Sequence, residues 1–333
     1  MNLQFTASFR LKYALPVLAL LVTLLTSTSH SFAQSSSHHH VSPSAHQNSF
    51  RCVPTPHIQA PPAPMGATRH SALKAICPSG QVPQPTTAPA IIAKSKKGAP
   101  PADGTLHPSI APGYHYVHGY QHTTGIGAEG YLSQHKPFLN SSDNHTLAEI
   151  AGQSSDGKQI AEIGWTVDRG LNGDDNPHLF VFSWVNGVGN CYNGCGYVQF
   201  SSTLHPGMTV ASDGSQHLYA MEYFNGNWWL YYDTEWIGYF PGSIWSNKGV
   251  TFTQVGLIQW FGEVLSKGGS NTQMGNGILG SNPGSASISN AAVITTPSSA
   301  AHASINLNAT DPSCYNYGWI TLSYSFRYGG PGC

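Results

Sequence analysis

"HLYAMEYF" (217–224) and "NWWLYYDTEWIGYF" (227–240) stand almost back to back, separated only by Asn225 and Gly226. Aromatic side chains suit the pleated, half-buried surface of a sheet. Short runs of them bounded by Gly, Asn and Pro read as strands. Working outward, the same texture recurs in "GYHYVHGYQH" (113–122), "KQIAEIGWTV" (158–167), "HLFVFSWV" (178–185), "GYVQFSST" (196–203), "SASISNAAVIT" (285–295) and "GWITLSYSFRYGG" (318–330). The sole helical feature expected is a turn near "PGSIWSN" (241–247). Many closely spaced strands without an internal repeat predict an all-β sandwich or barrel.

Composition agrees. Of 333 residues only 9% are charged, while Gly (36) and Pro (23) are abundant and aromatics reach 11%. That balance is unlike a helical cytosolic protein and resembles a secreted all-β one. A formal net charge of −1 gives no basic footprint for nucleic acid or an anionic membrane. With 17 His, 14 Lys+Arg and only 15 carboxylates, the chain becomes strongly cationic in acid while having few ion pairs to lose there.

Arg10 and Lys12 precede the apolar run "ALPVLALLVTLL" (14–25) and the small residues of "SFA" (31–33). This predicts a secretory signal peptide over 1–33, because a membrane anchor needs a longer run. Residues 34–104 are rich in Ser, Pro, Ala and His and predict a largely irregular propeptide or linker. "KSKKGAPPADG" (94–104) reads as its exposed, cleavable end. Residues 105–333 form the expected folded domain. Export makes the six cysteines disulfide candidates. Spacing pairs Cys191 with Cys195; Cys52 with Cys77 would close a local loop, and Cys314 with Cys333 follows by elimination.

Carboxylates are scarce enough to weigh individually. Most Asp residues sit in turn contexts. Glu129 lies in a Gly-rich loop, Glu149 precedes a turn, Glu235 sits at a hairpin tip or edge, and Glu222 reads as an outward-facing strand residue. Glu162 in "QIAEIGWTV" and Glu263 in "LIQWFGEV" differ, because each has apolar residues on both sides. By alternation Glu162 shares a face with Ile160, Gly164 and Thr166, and Glu263 with Leu257, Gln259 and Phe261. Gly164 and Gly262 would let a ligand backbone approach. Two close carboxylates on a semi-buried face share a proton, so one can activate water while the other donates a hydrogen bond.

The segments "AEIGWTV", "NPHLFVFSWV", "GCGYVQFSS", "GNWWLYYDTEWIGYFP", "WFGEV", "NTQMGNG" and "RYGGPG", in this order, resemble the neprosin family of glutamic peptidases over about residues 107–333. The resemblance implies an antiparallel β-sandwich of two packed sheets with the active site in a groove. It also implies catalytic roles for Glu162 and Glu263, synthesis as a secreted zymogen, and acid-dependent cleavage next to proline. One departure is "FGEV" where the family has Gly-Gly-Glu-Val, which puts Phe261 on the face of Glu263. Gln259, Gln273, Phe261 and Gly164 are candidate substrate contacts. The expected partner is a protein or peptide substrate of a monomeric enzyme, with no cofactor or metal. His115 and His118 point to opposite faces of one strand, and the triplet His38–His40 lies in the polar leader. No nucleophile elbow, zinc-protease helix or phosphate loop appears. Two other readings stay open: a β-sandwich glycoside hydrolase, and a non-catalytic carbohydrate- or peptide-binding module.

Overall fold

The computed structural model describes residues 49–68, 73–86, 97–100, 113–321 and 323–333. The expected signal peptide, the His38–His40 triplet and most of "KSKKGAPPADG" lie outside the described residues. Strands β1 (Ser49–Pro54) and β2 (Gln81–Thr86) pair as an N-terminal ribbon. The chain then runs through β3 (Tyr114–Gly125), β4 (Gly127–His135), β5 (His145–Gln153), β6 (Ile160–Val167), β7 (His178–Val185), β8 (Val188–Gly189) and β9 (Val198–Gln199). It continues with β10 (Asp213–Phe224), β11 (Asn227–Tyr232), β12 (Glu235–Pro241), β13 (Val255–Leu265) and β14 (Ala286–Thr296). The last strands are β15 (Ser299–His302), β16 (Asn306–Ala309), β17 (Asn316–Thr321) and β18 (Ser325–Gly329). The helices described are single turns, α1 (Arg169–Asn172) and α2 (Ser243–Ser246), the second where a turn was expected.

Two antiparallel sheets pack face to face. One has the order β16-β3-β13-β5-β6-β7-β8, and the other runs β17-β18-β14-β4-β10-β11-β12-β9 with β15 beside β14. The opening stretch behaves as read: β10 and β11 pair around Asn225 and Gly226, both at positive φ, as a two-residue hairpin turn requires. Of the strands that were not expected, two bear on the site. Segment 127–135 is strand β4, so Glu129 is no loop residue, and segment 145–153 is strand β5, at the centre of the first sheet.

Alternation sorts the side chains. Trp165, Ile163, Ile258, Trp260, Val264, Ala148, Ile150 and Val181 point inward to meet Trp228, Leu230, Tyr219 and Ile288 from the second sheet. Gly262 belongs to this inner face: a Cβ there would lie 2.7 Å from the Tyr328 ring and 2.9 Å from Met274 Sδ. Its missing side chain therefore serves core packing, not ligand approach. The outer face of the second sheet carries Leu218, Ala220, Trp229, Tyr231 and Trp236, against which Ile58, Ala60 and Ala67 of the N-terminal segment pack. Trp236 Nε1 donates to the Pro62 carbonyl at 3.2 Å, and Gln84 bridges Tyr197 and Gln199. Glu222 lies on this covered face, buried at 1% exposure, and its burial pushes its carboxyl up to about 7. Three disulfides close on the expected pairs, Cys52–Cys77, Cys191–Cys195 and Cys314–Cys333. Among the described residues no helix is long and apolar enough to cross a membrane.

Candidate active site

The outer face of the first sheet is where the unusual residues gather. Register places Glu263 of β13 opposite Leu147 of β5 and Tyr116 of β3, and Phe261 opposite Glu149. Glu149 in turn faces Gly164 of β6, and Ala151 faces Glu162. Three carboxylates thus run diagonally across adjacent strands, Glu263–Glu149–Glu162. Around them an apolar wall is built from Tyr116, Leu147, Ile160, Phe180, Phe182, Trp184, Tyr192 and Phe261. Glu149, Glu162 and Glu263 all have 0% exposure.

The N-terminal segment reaches this cluster. Lys97, expected to lie in an exposed linker end, inserts its ammonium where the carboxylates converge: 3.0 Å from Glu149 Oε1, 3.4 Å from Glu263 Oε2 and 3.6 Å from Glu162 Oε2. Its side chain is fully buried, between the rings of Phe180 and Phe261 at 5.9 and 5.8 Å. The expectation fails for a physical reason. A lysine in a Pro/Ala-rich stretch looks solvated from sequence, but three buried carboxyls, Glu263 ionised among them, offset its desolvation. The next residue, Gly98, lies so near Tyr114 that a Cβ would come within 2.7 Å of the ring. Pro100 is buried three residues beyond Lys97.

The three carboxyls do not share one protonation state. Burial opposes charge on Glu263, but Lys97 and His145, whose Nε2 lies 2.7 Å from Glu263 Oε1, hold its carboxyl below the ordinary value. Burial dominates at Glu162, against the pull of Lys97, and its carboxyl rises to about 7. Trp184 Nε1 fixes that side chain by donating to Oε1 at 3.1 Å. Glu149 is pushed up furthest, first by burial and then by the charge of Glu162. Lys97 would be lowered by burial alone, yet the three glutamates together raise it. Below about pH 7 the site therefore balances one carboxylate, Glu263, against one ammonium, with Glu149 and Glu162 protonated beside them.

The other sequence candidates divide. Phe261 lies in the wall beside the carboxylates, and Gln259 lies two residues along the same face, where its Oε1 is 2.9 Å from His118 Nδ1. Gly164 makes room for a carboxylate: a Cβ there would fall 2.2 Å from the Ala148 carbonyl oxygen and 2.6 Å from Glu149 Cβ. Gln273 is not brought to the glutamates. Its Oε1 accepts from Phe138 N, and its carbonyl accepts from Thr146 Oγ1, a residue on the opposite face of β5. The sequence reading missed Glu149, His145 and Lys97. For the first two a signal existed, since His145, Glu149 and Gln153 alternate with Thr146, Ala148 and Ile150.

The family model described as Neprosin matches residues 141–331, more than half of the chain. Among solved structures, a scytalido-glutamic peptidase bound to a peptide-based transition-state analogue aligns at a TM-score of 0.36 and 9% identity, over 65% of this chain and 98% of that one. A homodimeric agglutinin from chicken liver aligns at 0.27 and 8% identity, over 46% and 92%. A Bacillus licheniformis β-glucanase aligns at 0.28 and 14% identity, over 47% and 66%. Likenesses this weak bear on neither chemistry nor substrate.

Proposed function

The chain belongs to the neprosin family, and from that premise we propose that it is a secreted glutamic endopeptidase, made as a zymogen, that cleaves protein or peptide substrates next to proline in acid. The observation that carries the reading is the convergence of buried Glu263 and Glu162 on the single point filled by the Lys97 ammonium. Groups of opposite protonation tendency at one such point can divide base and acid duties.

Glu263, ionised and steadied by His145, takes a proton from water as it attacks the scissile carbonyl. Glu162, neutral in acid, polarises that carbonyl and then protonates the leaving nitrogen. No covalent enzyme intermediate is required. Lys97 occupies the place of the reacting groups, which supports latency of the uncleaved chain. Because the Lys97 charge favours the ionised carboxyl of Glu162, protonating that group loosens its hold, and the plug weakens as pH falls through about 7. The aromatic wall of Tyr116, Phe180 and Phe261 suits a proline ring, and family membership supplies the rest of the support for that preference. The disulfides support export to an oxidising compartment.

The test is a mixed peptide library incubated with the full chain at about pH 3 and at about pH 7, with cut sites read by mass spectrometry. Acid-dependent cleavage lost in both Glu162→Gln and Glu263→Gln is the expected result. Cuts clustered away from proline would remove the specificity claim. No cleavage once the N-terminal segment is off would sink the peptidase reading and turn attention to glycans.

A further inference from the structure

Glu149 has no part in the pair just described, yet it lies between its members. It sits on the central strand β5, with Glu263 on β13 to one side and Glu162 on β6 to the other. The glycine opposite it, Gly164, leaves space that no other side chain would. Its Oε1 accepts from Lys97, while its Oε2 is buried with no hydrogen-bond partner among the described residues. A buried polar atom without a partner is costly, and a carboxylate in this wall would be costlier still. A carboxylic acid whose O–H reaches a bound substrate would meet neither cost.

We propose that Glu149 is a third catalytic group, a neutral carboxylic acid that donates a hydrogen bond to the oxygen of the scissile carbonyl. The inference rests on the peptidase reading and divides its labour. Water attacks the carbonyl carbon and passes one proton to Glu263. As the C–O bond forms, the carbonyl π pair moves onto oxygen, where the Glu149 O–H stabilises it without giving up its proton. The pair then returns, the C–N bond breaks, and the Glu162 proton goes to the departing nitrogen. Solvent resets Glu263 and Glu162. The groups around Glu149 are consistent with a neutral acid once Lys97 is withdrawn. They are Glu162 and Glu263 on the flanking strands and the phenols of Tyr116 and Tyr192, while His145 along its own strand is engaged by Glu263. Burial, the first cause of its raised carboxyl pKa, acts in the same direction.

The experiment compares Glu149→Gln and Glu149→Ala in the full chain, after acid removal of the N-terminal segment, by kcat and KM on one cleaved peptide. An amide donates the same hydrogen bond without ionising, so Glu149→Gln should keep kcat within about tenfold of wild type. Glu149→Ala should lose about 10²–10³-fold in kcat with KM little changed, the usual loss for one such donor. Glu149→Gln as dead as Glu263→Gln would overturn the proposal, because the group would then act ionised. So would Glu149→Ala with wild-type kcat. Thermal unfolding of both variants separates a lost donor from a lost fold. A wild-type chain that cleaves nothing would instead overturn the peptidase reading on which this step rests.

Discussion

Replacing Glu162 with Gln should abolish cleavage yet stabilise the fold, and the gain should depend on pH. In the folded chain the Glu162 carboxyl titrates near 7 against an ordinary 4.5, chiefly because burial disfavours the charge. A pKa raised by folding means that the fold prefers the protonated form. The stabilisation is complete below about pH 4.5 and is lost as pH rises through about 7. The gap corresponds to about 3 kcal/mol. Gln is a fixed stand-in for the neutral acid and retains an oxygen for the Trp184 Nε1 donor at 3.1 Å. Urea unfolding of the full chain should therefore show the variant gaining about 3 kcal/mol on wild type between about pH 4 and about pH 8. In a thermal scan the gain amounts to roughly 5–10 °C for a domain of this size. Taking the difference between two pH values cancels packing changes common to both. A variant whose advantage is the same at both, or that falls behind wild type at the higher pH, would refute the assignment of a buried, raised carboxyl.

Three further outcomes follow from named contacts. Lys97→Met removes the cation from three buried carboxyls. Losing one partner of a buried ion cluster costs roughly 3–5 kcal/mol, so the uncleaved variant should hydrolyse peptide in an assay where uncleaved wild type is silent. Equal silence would exclude Lys97 as the plug. His145→Asn removes one of the two groups that hold the Glu263 carboxyl down. The acid limb of the pH–rate profile should move to higher pH, and an unmoved limb would exclude Glu263 as the base. Gly164→Ala would force a Cβ within 2.2 Å of the Ala148 carbonyl oxygen. Overpacking of this kind costs roughly 1–3 kcal/mol or more, seen as an earlier urea midpoint, and a midpoint at the wild-type value would show that β5 and β6 are not so tightly apposed.

How much of the site was legible depended on what surrounded each residue. Glu162 and Glu263 stood out because their strands are otherwise apolar, and alternation alone put Phe261 and Gln259 on the right face. Glu149 escaped because "HTLAEIAGQ" (145–153) mixes polar and small residues on the face that lines the site. A central strand of that kind reads as a loop. Lys97 was beyond the reach of local pattern, because its partners lie 52, 65 and 166 positions away, and nothing in "KSKKGAPPADG" records them. The same electrostatics explains both failures. A wall able to keep three carboxyls out of water must offset their charge, and it does so with two raised pKa values and one borrowed ammonium. Below about pH 7 only Glu263 then remains ionised against Lys97. On the peptidase reading, that is the protonation state the reaction itself needs, with one base and two acids. The latent chain would hold its catalytic protons in place before the lysine leaves, and release of the N-terminal segment would expose a site already poised rather than one that must first titrate.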